Sequence, residues 1–203
     1  MDIFLYPFIL KLEMLAEWKR EIVKMNKGKT IAFVHIPKCA GTYVKGYCKE
    51  LGIQYLFHKN ANKDPNIFYF SVIRNPIKRF ESFLNYRLWK GDKQSWPKHL
   101  HYVFGDPSVD LNQIVSELEE KDFQGFHPYK TLHYWTQHCH LLITIDEFFD
   151  FLKECGFENI VEHPKENVSI KRRGTLNEES IQKIQEIYQK DIEIYQHWIR
   201  KDV

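Results

Sequence analysis

No GxxxxGK[ST] string occurs in the 203 residues, which excludes a Walker-type nucleotide loop. Cysteine is sparse. Cys39, Cys48, Cys139 and Cys155 form no CxxC or otherwise paired pattern, so no disulfide framework is expected and the four read as reduced thiols of a cytoplasmic protein. Long apolar runs are missing too. The stretch from Ile3 to Leu10 is broken by Pro7 and falls well short of the roughly 20 apolar residues of a membrane span. Met1-Asp2 supplies neither the basic start nor the small-residue cleavage site of a signal peptide. Net charge is only +2, so bulk electrostatics give no reason to expect a nucleic-acid partner. Internal repeats and low-complexity tracts are absent.

What is present argues for a folded globule. Hydrophobic residues make up 43% and aromatics 15% of the chain, enough for one domain with a sizeable core. Leu12, Leu15, Trp18 and Ile22 recur at helical spacing and predict an amphipathic helix over residues 8–25. The division expected is an N-terminal segment, 1–29, that docks on a single domain, 30–203, with a membrane-surface role for the helix as the alternative.

The most informative stretch is TIAFVHIPKCAGTYVKGYCKEL, Thr30 to Leu51. Ile31 to Val34 is a strand-type run, and Val44, Tyr47, Cys48 and Leu51 fall on one helical face. The small-residue loop between them predicts an anion cradle at a helix N-terminus. There Ala40 and Gly41 admit a close approach to the backbone, Lys38 adds a charge and Thr42 a hydroxyl. In IFYFSVIRNPIKRFESFLNYRLW, Ile67 to Trp89, Phe68 to Ile73 reads as a central parallel strand buried on both faces. Asn75-Pro76 then opens a helix with Ile77, Phe80, Leu84 and Leu88 on its buried stripe. Arg74 and Ser82, at the strand end and on that helix, are placed to converge on one phosphate monoester.

HIPKCAGT, residues 35–42, resembles the 5′-phosphosulfate loop of sulfotransferases that use 3′-phosphoadenosine 5′-phosphosulfate (PAPS). It is closest to the carbohydrate branch, whose usual form is PK-[TC]-[GA]-GT. The second stretch is similar to that family's R-[DN]-P-x-x-R-x-x-S signature. The resemblance implies an α/β, three-layer, mainly parallel sheet of the P-loop-like sulfotransferase fold, and PAPS as sulfuryl donor with 3′,5′-ADP as product and no metal. It implies that Lys38, Cys39, Ala40, Gly41, Thr42 and Tyr43 hold the phosphosulfate, and that Arg74 and Ser82 hold the 3′-phosphate. Asn167 to Gly174 is similar to the late loop that closes over the nucleotide, which adds Lys171, Arg172, Arg173 and Gly174. A catalytic His often lies between the two motifs, and His58 is the only histidine between Lys38 and Arg74; Glu81 is the reserve base. His35 is expected to shape the loop. Cys39 and Ala40 in the loop, and Asn75 where Asp is common, are minor departures within those patterns. Cys39 raises the hypothesis that oxidation inactivates the loop.

The expected activity is transfer of a sulfuryl group to an acceptor hydroxyl, first of a glycan, with a tyrosyl or small-molecule hydroxyl as the alternative. A nucleotide kinase and a non-catalytic nucleotide-binding module are the readings from other classes. Gln54 to Phe57 predicts a short strand, and Asp110 to Glu120 a helix. Trp96, Tyr102 and Phe104 with Lys93, Lys98, His99 and His101 read either as an acceptor loop, which leads, or as aromatics tucked into the core. His138-Cys139-His140 lacks the second ligand pair of a zinc site and reads as the lead-in to a strand, Leu141 to Ile145. A helix from Glu147 to Cys155 follows, capped by Asp146 and ended by Gly156. Thr175 with Glu178 predicts a capping box. It opens a long terminal helix through Ile181, Ile184, Tyr188, Ile192, Tyr195 and Ile199, which packs on the domain or serves as a homodimer face.

Overall fold

The computed structural model describes residues 30–91, 93, 96–106, 108–119, 121–122, 130–161 and 174–199. The expected N-terminal helix lies outside them, as do Lys171, Arg172 and Arg173. Strand β1 (Thr30–His35) leads into α1 (Gly41–Glu50), and β2 (Gln54–Phe57) follows. Then come β3 (Ile67–Val72) and α2 (Pro76–Lys90). A 3-10 helix (Lys98–Phe104), α3 (Leu111–Glu117), α4 (Leu132–Thr136), β4 (Leu141–Ile143) and α5 (Phe148–Glu154) complete the middle of the chain. Helices α6 (Glu178–Ile187) and α7 (Gln189–Ile199) come last. Among the described residues the result is an α/β fold around a four-stranded sheet of order β2-β1-β3-β4.

All three strand pairings are parallel, with Val34 opposite Leu56 and Phe33 opposite Phe70. Side chains alternate along each strand. Phe33, Phe70 and Val72 meet Val44 and Tyr47 of α1 and Phe148 and Phe151 of α5 on one face. Ala32, Val34 and Tyr69 cluster with Ala61. Ile36 and Ile73, just past the strands, pack with Leu132 and Trp135 of α4 and with Ile194 and Trp198 of α7. A separate cluster joins Phe80 and Leu84 of α2 to Leu100, Ile114 of α3 and Ile184 of α6. Both buried faces explain why β1 and β3 read as nearly continuous apolar runs.

Several local expectations change. Asp146 does not cap α5: Glu147 holds the N-cap position, and its carboxylate accepts hydrogen bonds from the Thr144 amide (2.6 Å) and hydroxyl (2.9 Å). Asn177, not Thr175, caps α6 by accepting from the Ser180 amide. The helix starts two residues later than a Thr175 cap would place it, so the amide to be satisfied is that of Ser180, three residues beyond Asn177. The terminal helix is two helices broken at buried Tyr188, and both pack inward, α6 on α3 and α7 on α4. Trp96 is buried in the core, with Phe104 packed edge-on against it. No helix among the described residues is long and apolar enough to cross a membrane.

Glycine 46 offers a clean stability test. It lies exposed inside α1, and a Cβ there would meet nothing within 4 Å. Gly46→Ala should raise the unfolding free energy by about 0.5–1 kcal/mol in urea denaturation, through helix propensity alone.

Candidate active site

The strand order reverses direction at β1, since β2 lies on one side of it and β3 with β4 on the other. In open parallel sheets, ligands bind outside the carboxyl ends of the strands at such a switch point. A cleft of about 780 Å³ opens there, within the roughly 300–1,000 Å³ of small-molecule sites. Lys38 to Tyr43, after β1, form one end of its wall, and Arg74, after β3, lines it together with Ser82, Tyr86 and Arg87 of α2. His35, Phe57 and His58 contribute from β1 and from the end of β2. The two sequence motifs therefore share one cavity. Among the described residues it is lined by three cations and no carboxylate.

Residues 36–40 turn tightly. Lys38 (φ 65°) and Ala40 (φ 57°) are both left-handed, a conformation that costs a side-chain-bearing residue about 1–2 kcal/mol. Ala40 is the N-cap of α1, so the helix begins at Gly41, ahead of the apolar stripe that opens at Val44. The amides of Gly41 and Thr42 lie in the first turn, where no intrahelical acceptor exists. The Cys39 amide is different: it donates to the Ile36 carbonyl (3.3 Å). It is committed to the turn, which takes the Cys39 amide out of the group expected to hold the phosphosulfate.

Gly41 meets a second requirement besides room for a ligand. A Cβ at this position would fall on the His35 ring, against Cδ2 and Nε2. That imidazole is buried, shares a 2.6 Å hydrogen bond between Nδ1 and the Tyr55 hydroxyl, and contacts the His58 ring at 4.8 Å between centroids. Burial, then His58, Lys45 and Lys38, hold it down at about 4, so it is neutral at ordinary pH. His35 is thus a neutral spacer between loop and strand. His58 (φ 50°) stacks on exposed Phe57 at 4.0 Å and presents its ring to the cleft.

The Lys38 amine lies 3.9 Å from the centroid of the Tyr86 ring. Burial first, then Arg74 and Arg87, lower it to about 8. Arg74 is exposed, and Asn75 behind it caps α2 by accepting from the Ile77 and Lys78 amides. Arg79 was not singled out by sequence reasoning, although it fills the second Arg of the signature. It is buried, and its guanidinium donates to the Pro37 carbonyl (3.1 Å) and the Lys130 carbonyl (3.0 Å). Tyr86 was missed as well; the signal was its place one helical turn beyond Ser82.

Other expected site residues do not reach the cleft. Glu81 is buried, paired with Lys78 at 3.1 Å, and does not line the cavity; it is withdrawn as a base. Gly174 is exposed with φ 83° and lies beside Thr175, whose carbonyl accepts from Asn112 of α3, away from the cleft lining. The aromatic and basic segment around Trp96 and Tyr102 does not line the cleft either. Cys39 packs with Ile36, Ile73 and Trp135, and burial pushes its thiol up. An inaccessible thiol without thiolate character is a poor target for peroxide, so the oxidation hypothesis is dropped. His140 Nδ1 accepts from the Tyr69 amide, and among the described residues no group of three His, Cys, Asp or Glu is arranged to hold a metal ion.

Neither a protein-family model, nor a curated protein, nor a solved structure matches the chain. The functional reading therefore rests on the motifs and on the cleft.

Proposed function

We propose that the chain is a PAPS-dependent O-sulfotransferase with a P-loop-like sulfotransferase fold. One observation carries this: Lys38 of the first motif and Arg74 with Ser82 of the second line the same cleft at the sheet's switch point. A donor with an anion at each end needs cations from both motifs in one cavity. The cleft volume and its all-cationic charged lining fit such a nucleotide.

The donor, when bound, supplies a sulfuryl group on a phosphate anhydride. The amides of Gly41 and Thr42 and the start of α1 hold the anionic end. Arg74 and Ser82 hold the ribose monoester and so set the donor's register. His58 accepts the proton of the acceptor hydroxyl as its oxygen bonds to sulfur. The bridging sulfur–oxygen bond breaks, and Lys38 stabilises the charge left on the phosphate oxygen. The acceptor reaches the site past Phe57 and His58; a glycan hydroxyl is the first choice and a tyrosyl or small-molecule hydroxyl the second.

Two measurements test this. 3′,5′-ADP should raise the melting temperature of the protein, while ATP with magnesium should do so less; the reverse order would favour a kinase. Labelled PAPS offered with a panel of glycans, tyrosyl peptides and phenols should give a sulfated product, and no product with any acceptor would leave only a binding module. Anion binding also favours charged Lys38, so it takes up a proton above about 8. Affinity for 3′,5′-ADP should be full below that pH and fall above it, by roughly tenfold per pH unit at most. A flat calorimetric profile from pH 7 to 10 would separate Lys38 from the ligand.

A further inference from the structure

The anion turn is held from behind. Its Pro37 carbonyl, directly before left-handed Lys38, accepts from Arg79 Nε, and Arg79 Nη2 reaches the Lys130 carbonyl ahead of α4. On the far side, Arg79 Nη1 lies 3.7 Å from an Asp191 carboxylate oxygen on α7. Asp191 is wholly buried and also accepts from the Leu132 (2.7 Å) and His133 (3.4 Å) amides at the start of α4. One guanidinium thus joins the loop, α4 and α7. Only the planar fork of arginine makes these contacts together; an ammonium cannot.

We propose that Arg79 is a positioning residue for the Lys38 amine, and that Asp191 locks it in place from the C-terminal helix. The inference deepens the reading of the cleft as an anion site and rests on it for its functional meaning. Arg79 does not line the cleft, so it acts through Pro37 and Lys38. Released from this clamp, the strained turn relaxes and the amine leaves its place over Tyr86. The groups facing that amine are Arg74, Arg87, Tyr86 and His35, and His58 shares the cleft with it. A lysine that moves away from the two guanidiniums and into water titrates higher.

The test uses the double variant Arg79→Met/Asp191→Asn. It removes the buried pair as a unit, which such sites tolerate better than loss of one partner, and the carboxamide oxygen that replaces the carboxylate can still accept from the Leu132 amide. Lys38 is labelled with an amine-reactive reagent across pH and read by peptide mass spectrometry, with no nucleotide present. Its midpoint should rise from about 8 toward the ordinary lysine value, and the dissociation constant for 3′,5′-ADP should rise about tenfold. A folded double variant with an unchanged midpoint overturns the proposal, because a purely structural pair would alter melting alone. If the midpoint moves while neither protein binds 3′,5′-ADP, the clamp stands and the donor reading fails. Should the double variant not fold, Arg79→Lys decides. It keeps the charge beside Asp191 but loses the fork, so its midpoint should also rise, and an unmoved midpoint overturns the proposal.

Discussion

Lys38→Ala should lower sulfuryl-transfer turnover by about 10²–10³-fold, the usual effect of removing one donor that meets charge developing in the transition state. Donor affinity should change less, because the amides of α1 and the Arg74–Ser82 pair remain. The setting of the amine supports a large effect. It is half-buried, faces two guanidiniums and titrates near 8, so it sits in a cleft where water screens charge poorly. Rates with labelled PAPS, compared at saturating donor and acceptor, provide the check. Unchanged turnover would remove Lys38 from the chemistry.

Gly41→Ala should destabilise the protein by about 1–3 kcal/mol, the cost of forcing extra volume into a packed site, and weaken 3′,5′-ADP binding at the same time. The new methyl meets the His35 ring, which cannot yield without breaking the bond to Tyr55 and the contact with His58. Its displacement disturbs both the loop after β1 and the ring of His58, the proposed base. Gly46→Ala, in the same helix, should move stability the other way. Urea denaturation of the two variants compares them directly. Equal stability of Gly41→Ala and the parent would show that the ring does not rest on this glycine.

The central elements were legible because local patterns determine them. β2 matches the expected Gln54–Phe57, β3 falls within one residue of its apolar run, and α2 opens at Pro76 as expected. The convergence of Arg74 and Ser82 on one cavity follows from a strand end followed by a helix. What stayed hidden depends on distant partners. The burial of Arg79 is set by Pro37, Lys130 and Asp191, none of them near it in the chain. The left-handed Lys38 and Ala40 have no glycine to announce them. Glu81 looked available because its partner Lys78, one turn away, gives no sign of which way the pair faces. The break at Tyr188 interrupts an unbroken helical stripe, because α6 and α7 follow different neighbours, α3 and α4.

The strand order also bears on how the molecule is made. β1 takes both of its pairing partners from later in the chain, and Arg79 pairs with Asp191 of the last helix. At a ribosomal pace of about 5–20 residues per second, several seconds separate the two residues. A nascent chain that has passed residue 90 carries both motifs yet still lacks the Asp191 carboxylate that meets Arg79. The cleft should therefore reach its final shape only late in synthesis.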